Sequence, residues 1–125
     1  MIRASSSPEP YRTAFTDGTH TGVADTSVAK GGGGQGFGPF ELLEAALATC
    51  VAITVRKYAA EHRLPLTAAR CEARVDRSDP AAAGLTYTLS LEGPLTAEQT
   101  ARLRQVADRC PVARTLTGGV VIRPG

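Results

Sequence analysis

The sequence predicts an α+β fold in which strand pairs and helices follow one another in the order ββ-α-ββ-α-β. Three observations carry this. The stretch FELLEAALATCVAITVRKYAAEHR, from Phe40 to about Arg63, holds neither Gly nor Pro, and as a helix it spans roughly 35 Å. Two later stretches, LTAARCEARVDRS and LTYTLSLEG, alternate apolar and polar residues as half-buried strands do. LTAEQTARLRQVADRC then opens with a threonine followed three residues on by glutamine, the pattern of a capped helix. A chain of 125 residues suits one domain, 1–125. Its 42% hydrophobic and 21% charged content is that of a folded, soluble chain.

Residues 1–9 are small and polar and are expected to form a loose leader. YRTAFTDGTHTGVAD alternates around TDG, a turn signal, and reads as a hairpin of Tyr11–Thr16 and Thr19–Ala24. GGGGQGFGPF, Gly31 to Phe40, leads into the long helix, with Pro39 at the first helical position that favours it. On that helix Leu43, Leu47, Cys50 and Thr54 share one face, with Leu42, Ala46, Ile53 and Lys57 beside it. Its middle, AALATCVAITV, is apolar nearly all round, so it calls for a wrapped sheet or a partner subunit.

In the strand pair, Ala69, Cys71, Ala73 and Val75 face one way and Arg70, Glu72, Arg74 and Asp76 the other. SDPAAAG is the turn, and Leu85, Tyr87, Leu89 and Leu91 form the apolar face of the second strand. Thr96 caps the second helix with Gln99 completing the box, and Leu103, Val106, Ala107 and Cys110 mark its apolar face. Pro111 is expected to close that helix, and RTLTGGVVIRPG to supply a turn and a last strand.

Several function classes are excluded at this level. A net charge of +2 is too small for a nucleic-acid partner, which calls for a basic stripe. The first residues, MIRASSSPEP, lack the apolar core of a signal peptide, and no apolar run reaches the ~18 residues of a membrane helix. The expected location is the cytoplasm. The two histidines and three cysteines lack zinc spacing, so no metal and no cofactor is expected. The glycine-rich loop is not a phosphate loop. Lys30 precedes the glycines instead of following them, and no acidic ribose partner sits in a βαβ unit.

The cysteines are the remaining chemistry. A reducing compartment keeps thiols free for catalysis, redox work or packing. Cys50, central in ALATCVA, needs a cation and an access path to react, and otherwise packs as a small hydrophobe. Cys110, placed at a helix C-terminus, is a poor first nucleophile but a possible resolving thiol. Cys71 lies on an apolar strand face and reads as core. Glu41 and Glu44 complement the positive end of the long helix, and Glu41 is also placed to orient a cation at a pocket rim.

At GFGPFELLEAALATCVAITVRKYA and RCPVARTLTGGV the chain resembles the OsmC/Ohr family, the osmotically inducible and organic hydroperoxide resistance proteins. The resemblance implies an intertwined homodimer, with sheets wrapped around two long central helices and sites at the interface. It implies a cysteine-based peroxidase acting on organic hydroperoxides. Cys50 would attack the O–O bond and become a sulfenic acid. Cys110 would resolve it as a disulfide, and a thiol reductant, a lipoylated protein or a small dithiol, would restore the pair. Phe40, Ala46, Leu47 and Val51 are the candidate walls of an apolar funnel.

The chain departs from the pattern at three places. Phe40 stands ten residues before Cys50, where peroxidase branches carry Glu, and Glu41 follows it. Lys30 stands where an Arg is usual, and Lys lacks the guanidinium fork. Ala113 replaces the His of Cys-Pro-Val-His. The activating cation is left among Arg12, Lys30, Lys57 and Arg114. Two other readings stay open: a non-catalytic protein that binds a small apolar ligand, and a different thiol-based redox enzyme.

Overall fold

The computed structural model describes all residues, Met1–Gly125, in two compact units, Met1–Leu43 and Glu44–Gly125. The first unit is a three-stranded antiparallel sheet of β1 (Arg3–Ser6), β2 (Thr13–Thr16) and β3 (Thr21–Ala24), in that order. The hairpin β2–β3 forms where the sequence places it. Its turn is held by Asp17, whose Oδ1 accepts the N–H groups of Thr19 at 2.8 Å and His20 at 2.6 Å. Gly22 pairs with Phe15, and the Phe15 ring occupies the space of the missing side chain: a Cβ on Gly22 would lie 2.3 Å from it.

Residues 1–9 are not wholly a leader. Arg3–Ser6 pairs with Thr13–Thr16, and this pairing overrides a segment with no apolar alternation of its own.

The glycine-rich loop folds back along β3. Phe37 N–H bonds Val23 O at 3.1 Å, and Asp25 N–H bonds Phe37 O at 3.0 Å. A Cβ at Gly36 would lie 2.3 Å from Val23 O, so only glycine allows the two backbones this close. Asp25, 3% exposed, anchors the loop from below by accepting the N–H groups of Thr26 and Gln35.

Helix α1 (Pro39–Glu61) runs from the end of the first unit into the second. Its start is fixed by Glu41, whose carboxylate accepts the Gly38 N–H at 3.0 Å. Leu47, Val51, Val55 and Ala59, spaced by four, form its buried stripe. The opposite side stays open in the single chain: Ala46 and Thr49 are exposed, and Ile53 is 58% exposed.

The second unit packs α1 on the antiparallel pair β4 (Ala68–Asp76) and β5 (Gly84–Glu92), with Cys71 opposite Leu89 and Ala73 opposite Tyr87. Leu66, Leu89, Leu103, Ala107 and Cys110 complete the core. Buried carbonyls and amides are tied by long side chains. Glu44 accepts the Val75 N–H at 2.8 Å, Arg56 donates to Leu66 O at 2.6 Å, and Arg104 to Leu89 O at 2.8 Å. An Arg70–Glu92 ion pair links the strand ends on the outer face.

Helix α2 (Ala97–Ala107) carries the expected capping box, with Gln99 N–H donating to Thr96 Oγ1 at 3.1 Å and Thr96 N–H to Gln99 Oε1 at 3.0 Å. The chain then departs from the sequence reading. Pro111 does not merely end α2; it is the first residue of a third helix, α3 (Pro111–Thr117). Proline lacks the N–H that a first helical position would leave unbonded, so the same residue suits both roles. The expected last strand is absent: residues 118–125 adopt no regular element, and Val120, Val121 and Ile122 are exposed.

Candidate functional site

Cys50 and Cys110 come together. Cys50 is half-buried in the middle of α1, while Cys110 occupies the joint between α2 and α3 and is 0% exposed. Each thiol acts on the ionisation of the other, so the two sulfurs are neighbours. The Val112 backbone N–H at the start of α3 and the Thr54 hydroxyl, one helical turn beyond Cys50, also favour its charged form.

These contacts act on the two thiols in opposite directions. Burial pushes the Cys50 thiol up, but the donors from Cys110, Val112 and Thr54 together hold it below its ordinary value. Burial pushes the Cys110 thiol up, and the adjoining Cys50 adds to this. Cys110 thus lies at the N-terminal cap of α3 as well as after α2, and still favours the protonated form. The arrangement sets a thiol lowered from its ordinary value beside one raised above it. That is a pairing suited to nucleophilic attack at Cys50 followed by attack from Cys110.

The other sequence-derived residues lie as follows. Leu47 is buried and joins Leu85, Tyr87, Asp108, Ala113 and Leu116 around a pocket of about 240 Å³. Val51 is fully buried in the core, Ala46 is exposed on α1, and Phe40 is 44% exposed. Glu41 caps α1 through Gly38. Arg12 pairs with Glu9 at 3.8 Å, and Lys30 is exposed at the end of a 3-10 turn over Val28–Lys30. Lys57 is exposed on α1, and Arg114 is exposed on α3, where its backbone N–H bonds Cys110 O at 3.0 Å.

The groups that lower the Cys50 thiol are neutral. Thr54 and the Val112 N–H are therefore site groups that the sequence reading misses. The four-residue spacing from Cys50 to Thr54 is a signal for the first. The second depends on α3, which the sequence reading ends as a turn. No group of three or more His, Cys, Asp or Glu side chains is placed to hold a metal ion, and no helix is long and apolar enough to cross a membrane.

A model of the family described as OsmC-like protein matches residues 32–124, which include both cysteines. The chain belongs to the OsmC-like family. Solved structures agree on the fold. An OsmC-like protein from Mycoplasma pneumoniae aligns with a TM-score of 0.78 at 20% identity, over 95% of this chain and 87% of that one. The organic hydroperoxide resistance protein of Bacillus subtilis gives 0.69 at 20% identity, over 98% and 93%. An organic hydroperoxide resistance protein from Legionella pneumophila gives 0.66 at 20% identity, over 98% and 92%. No curated protein matches the sequence. Identities this low carry the OsmC-like architecture, α+β with small antiparallel sheets and three helices, and not the activity of any one relative.

Proposed function

We propose that this OsmC-like protein is a thiol-dependent peroxidase that reduces organic hydroperoxides. The observation that supports it is the placement of Cys50 and Cys110 in one core, with the Cys50 thiol lowered and the Cys110 thiol raised from their ordinary values. The Cys50 thiolate attacks the peroxide O–O bond, takes one oxygen as sulfenic acid, and the alkoxide leaves as an alcohol after protonation. The Cys110 thiol then attacks the Cys50 sulfur, forming the disulfide and releasing water. A dithiol, free or on a lipoylated protein, returns both thiols and leaves oxidised.

The proposal treats residues 1–125 as a single domain acting as a homodimer in the cytoplasm. The open strip of α1 at Ala46, Thr49 and Ile53 supports the dimer, because an apolar helix face of this kind is usually covered. Cys50 lies next to that strip, so a partner would close over the site. Arg12, Lys30, Lys57 and Arg114 are the candidates for the charge that polarises the peroxide, with Glu41 to orient it. Phe40, Ala46, Leu47 and Val51 are the candidate apolar walls.

Treatment with one equivalent of cumene hydroperoxide, followed by mass spectrometry without reductant, tests the reading. The expected result is loss of two hydrogens, mapped to Cys50–Cys110 and abolished in Cys50→Ser. Thiols unchanged by excess peroxide would overturn it.

One observation favours a second reading, an apolar-ligand binding protein. The first unit carries an apolar cup of about 530 Å³ lined by Ile2, Tyr11, Phe15, Pro39 and Leu42, within the size range of small-molecule sites. Binding of a fluorescent fatty acid that persists unchanged in Cys50→Ser, with inert thiols, would support it.

A further inference from the structure

The glycine-rich loop has no role so far. Within the first unit, Gly31–Gly33 form one side of a pocket of about 240 Å³, with Asp25, Gln35, Glu9 and Arg12 in its other walls. Pro10 is its one apolar side chain. Asp25 is the buried member, 3% exposed. Its Oδ1 accepts the Thr26 N–H at 2.7 Å and its Oδ2 the Gln35 N–H at 3.1 Å, yet none of the chain's ion pairs includes it. A buried carboxylate ordinarily has a cation beside it as well. Gly33 marks the place for one. A Cβ there would lie 3.2 Å from Asp25 Oδ2 and 3.4 Å from Gln35 Nε2. The missing side chain therefore leaves a cradle in which a ligand nitrogen comes within hydrogen-bonding distance of the carboxylate. Arg12 supplies the opposite charge. Its Nε lies 3.8 Å from Glu9 Oε2, too far for a hydrogen bond, so the pair leaves the guanidinium fork open to a carboxylate.

We propose that this pocket binds a small zwitterion, an α-amino acid, with its ammonium in the Gly33 cradle on Asp25 Oδ2 and its carboxylate on the Arg12 guanidinium. The wall chemistry selects this class. Two carboxylates and one guanidinium disfavour a simple anion such as phosphate, even beside a glycine-rich loop. A single apolar side chain gives a hydrophobic ligand little to bury against. No third acidic, His or Cys side chain joins Glu9 and Asp25 to hold a metal ion. A zwitterion answers both signs at once, and the bidentate match of guanidinium to carboxylate fixes its orientation. The glycines then serve as the close wall that lets the ammonium reach a carboxylate lying beneath the loop. This binding involves no thiol, so it stands or falls separately from the peroxidase reading.

The test follows the backbone amides of the full chain, labelled with nitrogen-15, as L-serine is added at constant ionic strength. Ethylammonium chloride and sodium acetate, the two halves of the zwitterion, are titrated separately. The expected result is a saturating shift of the Gly33 and Gln35 amides with serine in the millimolar range, each half alone binding roughly tenfold or more weakly. Gly33→Ala fills the cradle and keeps every charge, and the backbone at Gly33 is outside the left-handed region, so alanine can adopt it. It is expected to abolish the Gln35 shift while the amides of β2 and β3 stay in place. Arg12→Gln is expected to reduce serine to the affinity of ethylammonium, and it decides the matter if Gly33→Ala disturbs the sheet. Shifts that fail to saturate with serine would overturn the proposal. So would acetate or ethylammonium binding as tightly as serine, which would mark an anion site or a plain cation site, or serine binding unchanged in either variant.

Discussion

The hydroxyl of Tyr87 donates to the carboxylate of Asp108 at 3.0 Å, joining the middle of β5 to the C-terminal cap of α2. Asp108 is exposed while Tyr87 is half-buried, so the bond closes the corner from its wet side. Cys110 and α3 follow directly from that corner. Tyr87→Phe is expected to lower stability by about 0.5–1.5 kcal/mol in urea denaturation, the worth of one hydrogen bond. It is also expected to lengthen the lifetime of a Cys50 sulfenic acid, measured by dimedone trapping, because Cys110 is held less firmly. Unchanged stability and trapping would show that the corner is fixed by packing alone.

Burial raises the Cys50 thiol, and Cys110, the Val112 N–H and, last, the Thr54 hydroxyl lower it. Thr54→Val keeps the shape and removes the donor, so Cys50 titrates higher. Iodoacetamide modification at pH 7 is expected to slow by roughly threefold to tenfold, with the pH profile moved upward. Thr54→Ser should restore both. A profile indifferent to Val would remove Thr54 from the site.

Asp17 carries the β2–β3 turn. Backbone and side-chain hydrogen bonds from His20, then the Thr19 N–H, lower its pKa from 3.8 to about 2. A carboxyl depressed in the folded state stabilises it above the unfolded value and ceases to as pH falls through the folded one. The turn is therefore expected to keep its support above pH ~4 and lose it on the way to pH ~2. Amide chemical shifts of Thr19 and His20 followed from pH 5 to 2 report this directly, and Asp17→Asn should flatten their titration.

Leu103 is fully buried between α2 and the rest of the core. Leu103→Ala is expected to cost about 2–5 kcal/mol, the range for a large-to-small change at a packed site. Urea midpoints would check it. A loss under 1 kcal/mol would mean that the core collapses to refill the space.

Much of this architecture is legible in the residues. α1 follows from the missing Gly and Pro, β4 and β5 from period-two alternation, and α2 from Thr96 and Gln99. What escapes is set by contacts rather than local pattern. β1 exists because Arg3–Ser6 finds the edge of β2. α3 escapes because Pro111 is equally good at stopping one helix and starting the next. The tail at Val120–Ile122 alternates poorly and has no strand to join, so propensity alone forms nothing there. At the site, Cys50 and Cys110 are visible as residues, but the neutral groups that lower the Cys50 thiol are not. An N–H supplied by the first turn of an unforeseen helix leaves no mark in side-chain spacing.

Cys110 has no surface. A solute in the water therefore cannot meet its sulfur directly. Oxidative damage falls first on the thiols that water can touch, and the innermost sulfur is shielded as long as the core around Leu103 and Ala107 stays shut.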